Sequence, residues 1–335
     1  MPETLIYPLG SNEATHYLEK NGIDYVVLPN GLQLLMTHKP ADDRERTNLS
    51  WHLRSGAYND PKGKTGLHHL SEHLINIPLY EEAGMHQVSI NAATSACYLY
   101  ESASGTSNYK EKDFGLWPLL PKIAEVFQNP LSLLEDAQAT IESEKKVVMQ
   151  EIHERKENFY HTVSKEAFRA VTKATNPYRV EVPGDEKTLT SISLMDIAQG
   201  IPQIYSPAHS LIMADVEGSM DSYKAMKELL LETASTYGAG RQHANPILDP
   251  KLFETKPLVV GERHELTIPT QHQLTFIEFF RTFTWNEFSK DSLSARLIAD
   301  LVQGRFFQSS TQVRTLIQST CTYPKSLTQS IASDL

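Results

Sequence analysis

The chain has 335 residues, enough for about two domains, and is 40% hydrophobic and 21% charged, as ordinary globular proteins are. Its net charge of -10 argues against nucleic acid as the main partner. Two cysteines, Cys97 and Cys321, exclude a disulfide scaffold, and no apolar run approaches the roughly twenty residues of a membrane span. The first 22 residues lack the basic-then-apolar order of a signal peptide, and Glu3, Glu13 and Glu19 are unlike a transit peptide. The expectation is a soluble, cytoplasmic protein with no membrane partner.

After a loosely structured lead-in, Tyr25-Val26-Val27-Leu28, then Pro29-Asn30-Gly31, then Leu32 to Met36 reads as strand, tight turn, strand, with Asn30-Gly31 supplying positive φ angles. Asn48 to Arg54 alternates apolar and polar residues and reads as a third strand. The loop Ser55 to Gly63 leads to a helix through Gly66 to Leu74, which Pro78 is placed to shorten. Gly84 ends the irregular stretch that follows. Val88 to Thr94 and Ala96 to Ala103 read as a pair of strands, and 109–128 as a helical apolar face interrupted by two prolines. Leu134 to Ile152 is rich in helix formers, carries the stripe Ile141, Val148 and Ile152, and runs on towards Phe168. Ser193 is placed to cap a short helix, Ser210 to Val216 is a strand broken by Gly218, and Met220 to Tyr237 is an amphipathic helix. A proline-punctuated linker over 241–257 separates residues 1–240 from 258–335. In that last part Gln273 to Phe280 reads as a strand and Leu293 to Val302 as a helix. Its length is small for an independent αβ domain.

The helix after Gly66 carries His69-x-x-Glu72-His73. Residues four apart share a helix face, so His69 and His73 can bind one Zn²⁺, which favours nitrogen and oxygen ligands. Glu72 shares that face and can act as a general base on a water that the metal acidifies. Such a pattern arises by chance in roughly one chain in thirty of this length. Glu135 and Glu142 lie seven apart on one face of the later helix, where solvated surface acids are the ordinary alternative.

Several short motifs, in order, carry a family resemblance. Leu28 to Leu32, Ser55-Gly56-Ala57, Asp60 to Gly63, Gly66 to Leu74, Asn91 to Thr94, Ile141 to Val148, Asn176-Pro177-Tyr178 with Gly184, and Tyr205-Ser206-Pro207 resemble the pitrilysin/insulinase family of inverted-motif zinc metallopeptidases. The resemblance implies an α+β fold: a mixed, mostly antiparallel sheet flanked by helices, in a half built of two related αβ domains with the second incomplete. It implies one Zn²⁺ per chain, ligated by His69, His73 and Glu142, with Glu144 as the rival third ligand on another face. It makes Glu72 the general base and Glu135 the outer acid that supports the site. Asn91 and Ala92 would lie on an edge strand to which a peptide substrate adds, and Arg314 and Tyr323 fall near the family's Arg/Tyr substrate pair. The implied function is endopeptidase cleavage of unfolded peptides, in a chamber completed by a homo- or hetero-oligomeric partner. The alternative is a non-catalytic scaffold or regulatory subunit derived from the same family.

Overall fold

Alternation builds the sheet. In β3 (Arg46–Leu53), Thr47, Leu49, Trp51 and Leu53 are buried while the residues between them are not. The computed structural model describes residues 22–41, 44–128, 136–236 and 250–253, with Leu18, Lys20 and the stretches 279–281 and 331–333. It divides into two compact units, Ile6–Ile152 with Val180–Leu248, and Met1–Leu5 with His153–Arg179 and Asp249–Leu335. The first unit holds a six-stranded sheet made of β1 (Ile23–Val27), β2 (Gln33–Pro40), β3, β4 (Ser89–Thr94), β5 (Leu99–Thr106) and β6 (Ser210–Gly218). The strand order is β1-β2-β6-β3-β5-β4. Among the described strands of this sheet, β2 and β6 pair in parallel and the other pairs are antiparallel. The expected mixed, mostly antiparallel α+β architecture is therefore present.

The β1–β2 turn holds as read, with one difference. Gly31 has φ +87 and Asn30 does not share its positive φ; the Asn30 side chain instead accepts a hydrogen bond from Leu32 N at 3.1 Å. One glycine in the left-handed region is enough to close this turn.

The helices are α1 (Leu67–Met85), α2 (Leu116–Gln128), α3 (Ala137–Glu157), α4 (Phe159–Val171), α5 (Glu186–Ser191), α6 (Leu194–Ile204) and α7 (Met220–Thr236). Leu70, Leu74, Ile75 and Leu79 of α1 join Leu49, Trp51 and Leu53 of β3 and Ile197 and Ile201 of α6 in one core. Each fully buried leucine contributes about 2 kcal/mol of transfer free energy. That packing carries α1 straight through Pro78 and Gly84 to Met85, so the expected shortening does not occur. The other helical run is shorter than expected: α3 ends at Glu157, and the Asn158 side chain starts α4 by accepting from His161 N at 2.9 Å. Ser193 caps α6 as read, in a box closed by Asp196.

In the second unit β7 (Phe279–Arg281) pairs antiparallel with β8 (Ile331–Ser333). The rest of the expected partial domain over 258–335, including its helix 293–302, lies outside the described residues, as does most of the linker.

Candidate metal centre

α1 starts at Gly66, whose φ of +95 favours glycine and whose absent Cβ would meet Pro183 O at 2.5 Å. Asp60 caps this start: its carboxylate accepts from Gly66 N at 2.7 Å and from His68 N at 3.0 Å. One turn on, His69 and His73 lie edge to face with ring centroids 4.8 Å apart. α3 brings Glu151 against both. One carboxylate oxygen lies 3.5 Å from His69 Nε2 and the other 3.4 Å from His73 Nε2.

Beside the two histidines, where Glu142 was expected, the structure places Glu151 instead. Glu142 is 52% exposed in its side chain and is engaged by Lys145 at 2.8 Å and Gln138 at 3.3 Å. The reason is helical phase. Nine residues at 100° each put Glu142 about 180° round the helix from Glu151. Glu144, seven before Glu151, lies within about 20° of it. Its carboxylate meets His73 Nδ1 at 3.0 Å. A seven-residue spacing of two acids on one face, expected of Glu135 and Glu142, is found in Glu144 and Glu151, both of which contact His73. Glu135 lies outside the described residues, as do Arg314 and Tyr323.

Do these residues fit a zinc ion? Their ligand atoms lie within 4.8 Å of one another. Bonds of about 2.0–2.1 Å to a tetrahedral centre give ligand–ligand edges of about 3.3–3.4 Å, close to the two histidine–carboxylate separations found. Glu144 engages Nδ1 of His73 and so fixes the tautomer that leaves Nε2 as a donor. Burial pulls the His73 pKa down, but the hydrogen bonds to Glu151 and Glu144 outweigh it, so the ring holds its proton above the usual range. The donor set fits.

Glu72 shares the α1 face and is 8% exposed. Burial pushes its pKa up, against the lowering effect of a short hydrogen bond from Thr94 Oγ1 to Oε2. Thr94 is the last residue of β4, one of the two edge strands of the sheet, which also carries Asn91 and Ala92. Asn91 faces Ser102, and Ala92 faces Glu101, across the β4–β5 ladder.

Sequence reasoning passed over a polar cluster beneath Glu72. Glu101 is 3% exposed; it accepts from Tyr205 O–H at 3.1 Å and from Asn76 Nδ2 at 3.5 Å. Asn76 Nδ2 also donates to Glu72 O at 2.8 Å. Burial, and then the nearby Glu72 charge, push the Glu101 pKa well above the usual carboxylate range. Burial and the Glu101 charge likewise raise that of Tyr205. The missed signal was parity: Leu99, Glu101 and Ala103 fall on the buried phase of β5, so an acid stood where an apolar residue was due.

The peptidase M16 inactive domain from Pseudomonas fluorescens is similar at a TM-score of 0.53 and 17% identity, over 64% of this chain and 50% of its own. A protease from Helicobacter pylori gives 0.51 and 19%, over 64% and 50%. The first half of the periplasmic protease PqqL from Escherichia coli gives 0.54 and 19%, over 70% and 49%. The chain has the M16, pitrilysin-like peptidase fold. It spans about half the length of these structures. No family model and no curated protein matches the sequence. Among the described residues, no helix is long and apolar enough to cross a membrane.

Proposed function

We propose that this M16-type half is a zinc-dependent endopeptidase acting on unfolded peptides. The observation that carries the reading is the convergence of His69 Nε2, His73 Nε2 and the Glu151 carboxylate beside the buried acid Glu72. His69, His73 and Glu151 would hold a zinc ion, and the chemistry it would supply there is Lewis acidity towards a water and the scissile carbonyl. Glu72 takes the proton of the attacking water and returns it to the departing amine. Thr94 occupies Oε2, which leaves Oε1 to carry that proton. Burial raises the proton affinity of Glu72, and a base that must also serve as an acid needs that.

The outer strand β4 offers the substrate an edge for backbone pairing at Asn91 and Ala92. Pairing of that kind reads backbone more than side chains, so cleavage is broad in sequence. In this reading a partner, either a second copy or another chain, completes the chamber.

The test is cleavage of a quenched fluorescent peptide with metal content measured in parallel, for wild type and Glu72→Gln. One zinc per chain, with cleavage lost in the variant and zinc kept, is the expected result. Zinc in both and cleavage in neither would favour the second reading, a non-catalytic scaffold. That reading draws on the inactive M16 domain that shares the fold.

A further inference from the structure

We propose that Ser55, His68 and Asp60 form a strut that sets the rotation of α1, and with it the aim of His69 and His73, relative to the substrate strand β4. The role assigned to this strut rests on the zinc-peptidase reading; its geometry does not.

The Asp60 carboxylate can only accept hydrogen bonds. It takes His68 Nδ1 at 2.5 Å, besides the backbone N–H groups of Gly66 and His68. His68 therefore carries its proton on Nδ1. Its Nε2 then accepts from the Ser55 hydroxyl at 2.6 Å. The order Ser–His–Asp is that of a hydrolase triad. Here it cannot serve as one, because Ser55 is 2% and His68 3% exposed and no substrate carbonyl reaches the hydroxyl. A chain of three buried, fully engaged groups is rigid instead.

His68 directly precedes His69 and points about 100° round the helix from it. Holding both ring nitrogens of His68 stops α1 from rolling. A roll of about 10° would carry a side-chain tip, about 6 Å from the helix axis, by about 1 Å. Displacements of that size are costly at a reacting centre.

The other end of the strut is tied to the β4–β5 turn. Ala57 N donates to Ser95 O at 3.0 Å and Tyr58 N to Ala96 O at 2.8 Å. A Cβ on Gly56 would lie 2.6 Å from Ser95 O, so the two backbones touch there. Ser95 follows Thr94, whose hydroxyl holds Glu72. The substrate strand, the base and the metal histidines thus close one mechanical loop, in which the strut grips the helix through both the His68 ring and the backbone N–H groups of Gly66 and His68.

The experiment measures zinc affinity by competition with a chromophoric chelator, and the melting of the metal-free protein, for wild type, Ser55→Ala and His68→Gln. We expect zinc affinity to fall about tenfold or more, in the range seen when outer supports of metal ligands are removed, with the metal-free fold retained. Ser55→Ala removes a single hydroxyl and keeps the helix cap, so it decides the matter should His68→Gln fail to fold. Wild-type zinc affinity in Ser55→Ala would overturn the strut, even if its melting temperature fell. A wild type that binds zinc but cleaves nothing would sink the peptidase reading and leave the strut to be judged by its affinities. A wild type that binds no zinc would overturn both.

Discussion

Assigning the third ligand to Glu151 rather than Glu142 makes a demand on zinc affinity that three variants can meet or fail. Glu144→Gln weakens only the support of His73 Nδ1, now at 3.0 Å. Loss of such a support costs about 10–100-fold in affinity, which is about 1.4–2.7 kcal/mol. Glu151→Ala removes a donor that faces both histidines, at 3.5 and 3.4 Å. Its loss must exceed the upper end of that range, so more than about 100-fold is expected. Glu142→Ala removes a half-exposed partner of Lys145, an i,i+3 pair. Pairs of that kind contribute about 0.3–0.5 kcal/mol to stability and leave zinc untouched. The assay is chelator competition on the three purified variants beside wild type. The expected order of loss is Glu151→Ala, then Glu144→Gln, with Glu142→Ala matching wild type. If Glu142→Ala released zinc as readily as Glu151→Ala, the helical-phase argument would be refuted.

Three further outcomes follow from the same structure. Gly66→Ala should destabilise the fold by more than about 1–3 kcal/mol, the usual cost of an unfavourable φ, because the new Cβ also meets Pro183 O at 2.5 Å; an unchanged urea midpoint would contradict this. Lys64, and then Ser193, hold the Asp196 carboxyl down at about 2, from an ordinary 3.8. A depressed carboxylate stabilises the fold above its unfolded pKa and loses that as pH falls through its folded one. Between about pH 4 and 2 the fold should therefore lose about 1 kcal/mol through this group, after discounting for a side chain that is 27% exposed, and Asp196→Asn should flatten the melting-temperature curve there. For Glu101 the sign reverses. Its folded pKa lies above the unfolded one, so the native state holds the extra proton and stability declines as pH rises past the ordinary 4.5. Glu101→Gln keeps the Tyr205 bond and removes that decline: its stability relative to wild type should grow from pH 4 to 7, and a difference that stayed constant with pH would count against the reading.

Most of the sheet was legible because burial on one face imposes period two. The phase of β3 is unambiguous in Thr47, Leu49, Trp51 and Leu53. The same phase in β5 buries Glu101 between Leu99 and Ala103, a signal in the sequence that the reading of that strand did not use. What periodicity did not carry is the insertion of β6 between β2 and β3, since pairing across more than 150 residues depends on tertiary packing. The ligand helix shows the same limit in one dimension. Its buried stripe, Ile141, Val148 and Ile152, was read correctly, and all three are in the core. A stripe has two flanks. Glu142 lies about 100° to one side of Ile141, while Glu144 and Glu151 lie about 60° to the other side of Ile141 and Val148. Two acids seven apart could be drawn on either flank, and sequence phase alone does not say which flank meets α1. That choice is made by how α3 packs beside His69 and His73, along about 13 Å of helix axis between Glu142 and Glu151. One sequence feature does bear on it. Lys145, on the Glu142 side of the stripe, is 8% exposed and bonds Glu142 and Thr190 O. A lysine buried beside the stripe neutralises the acid next to it and spoils that flank for a cation. Over the turns from Ile141 to Glu151 the other flank carries Glu144 and Glu151 and no cation, and it is the one that electrostatics leaves open to a metal.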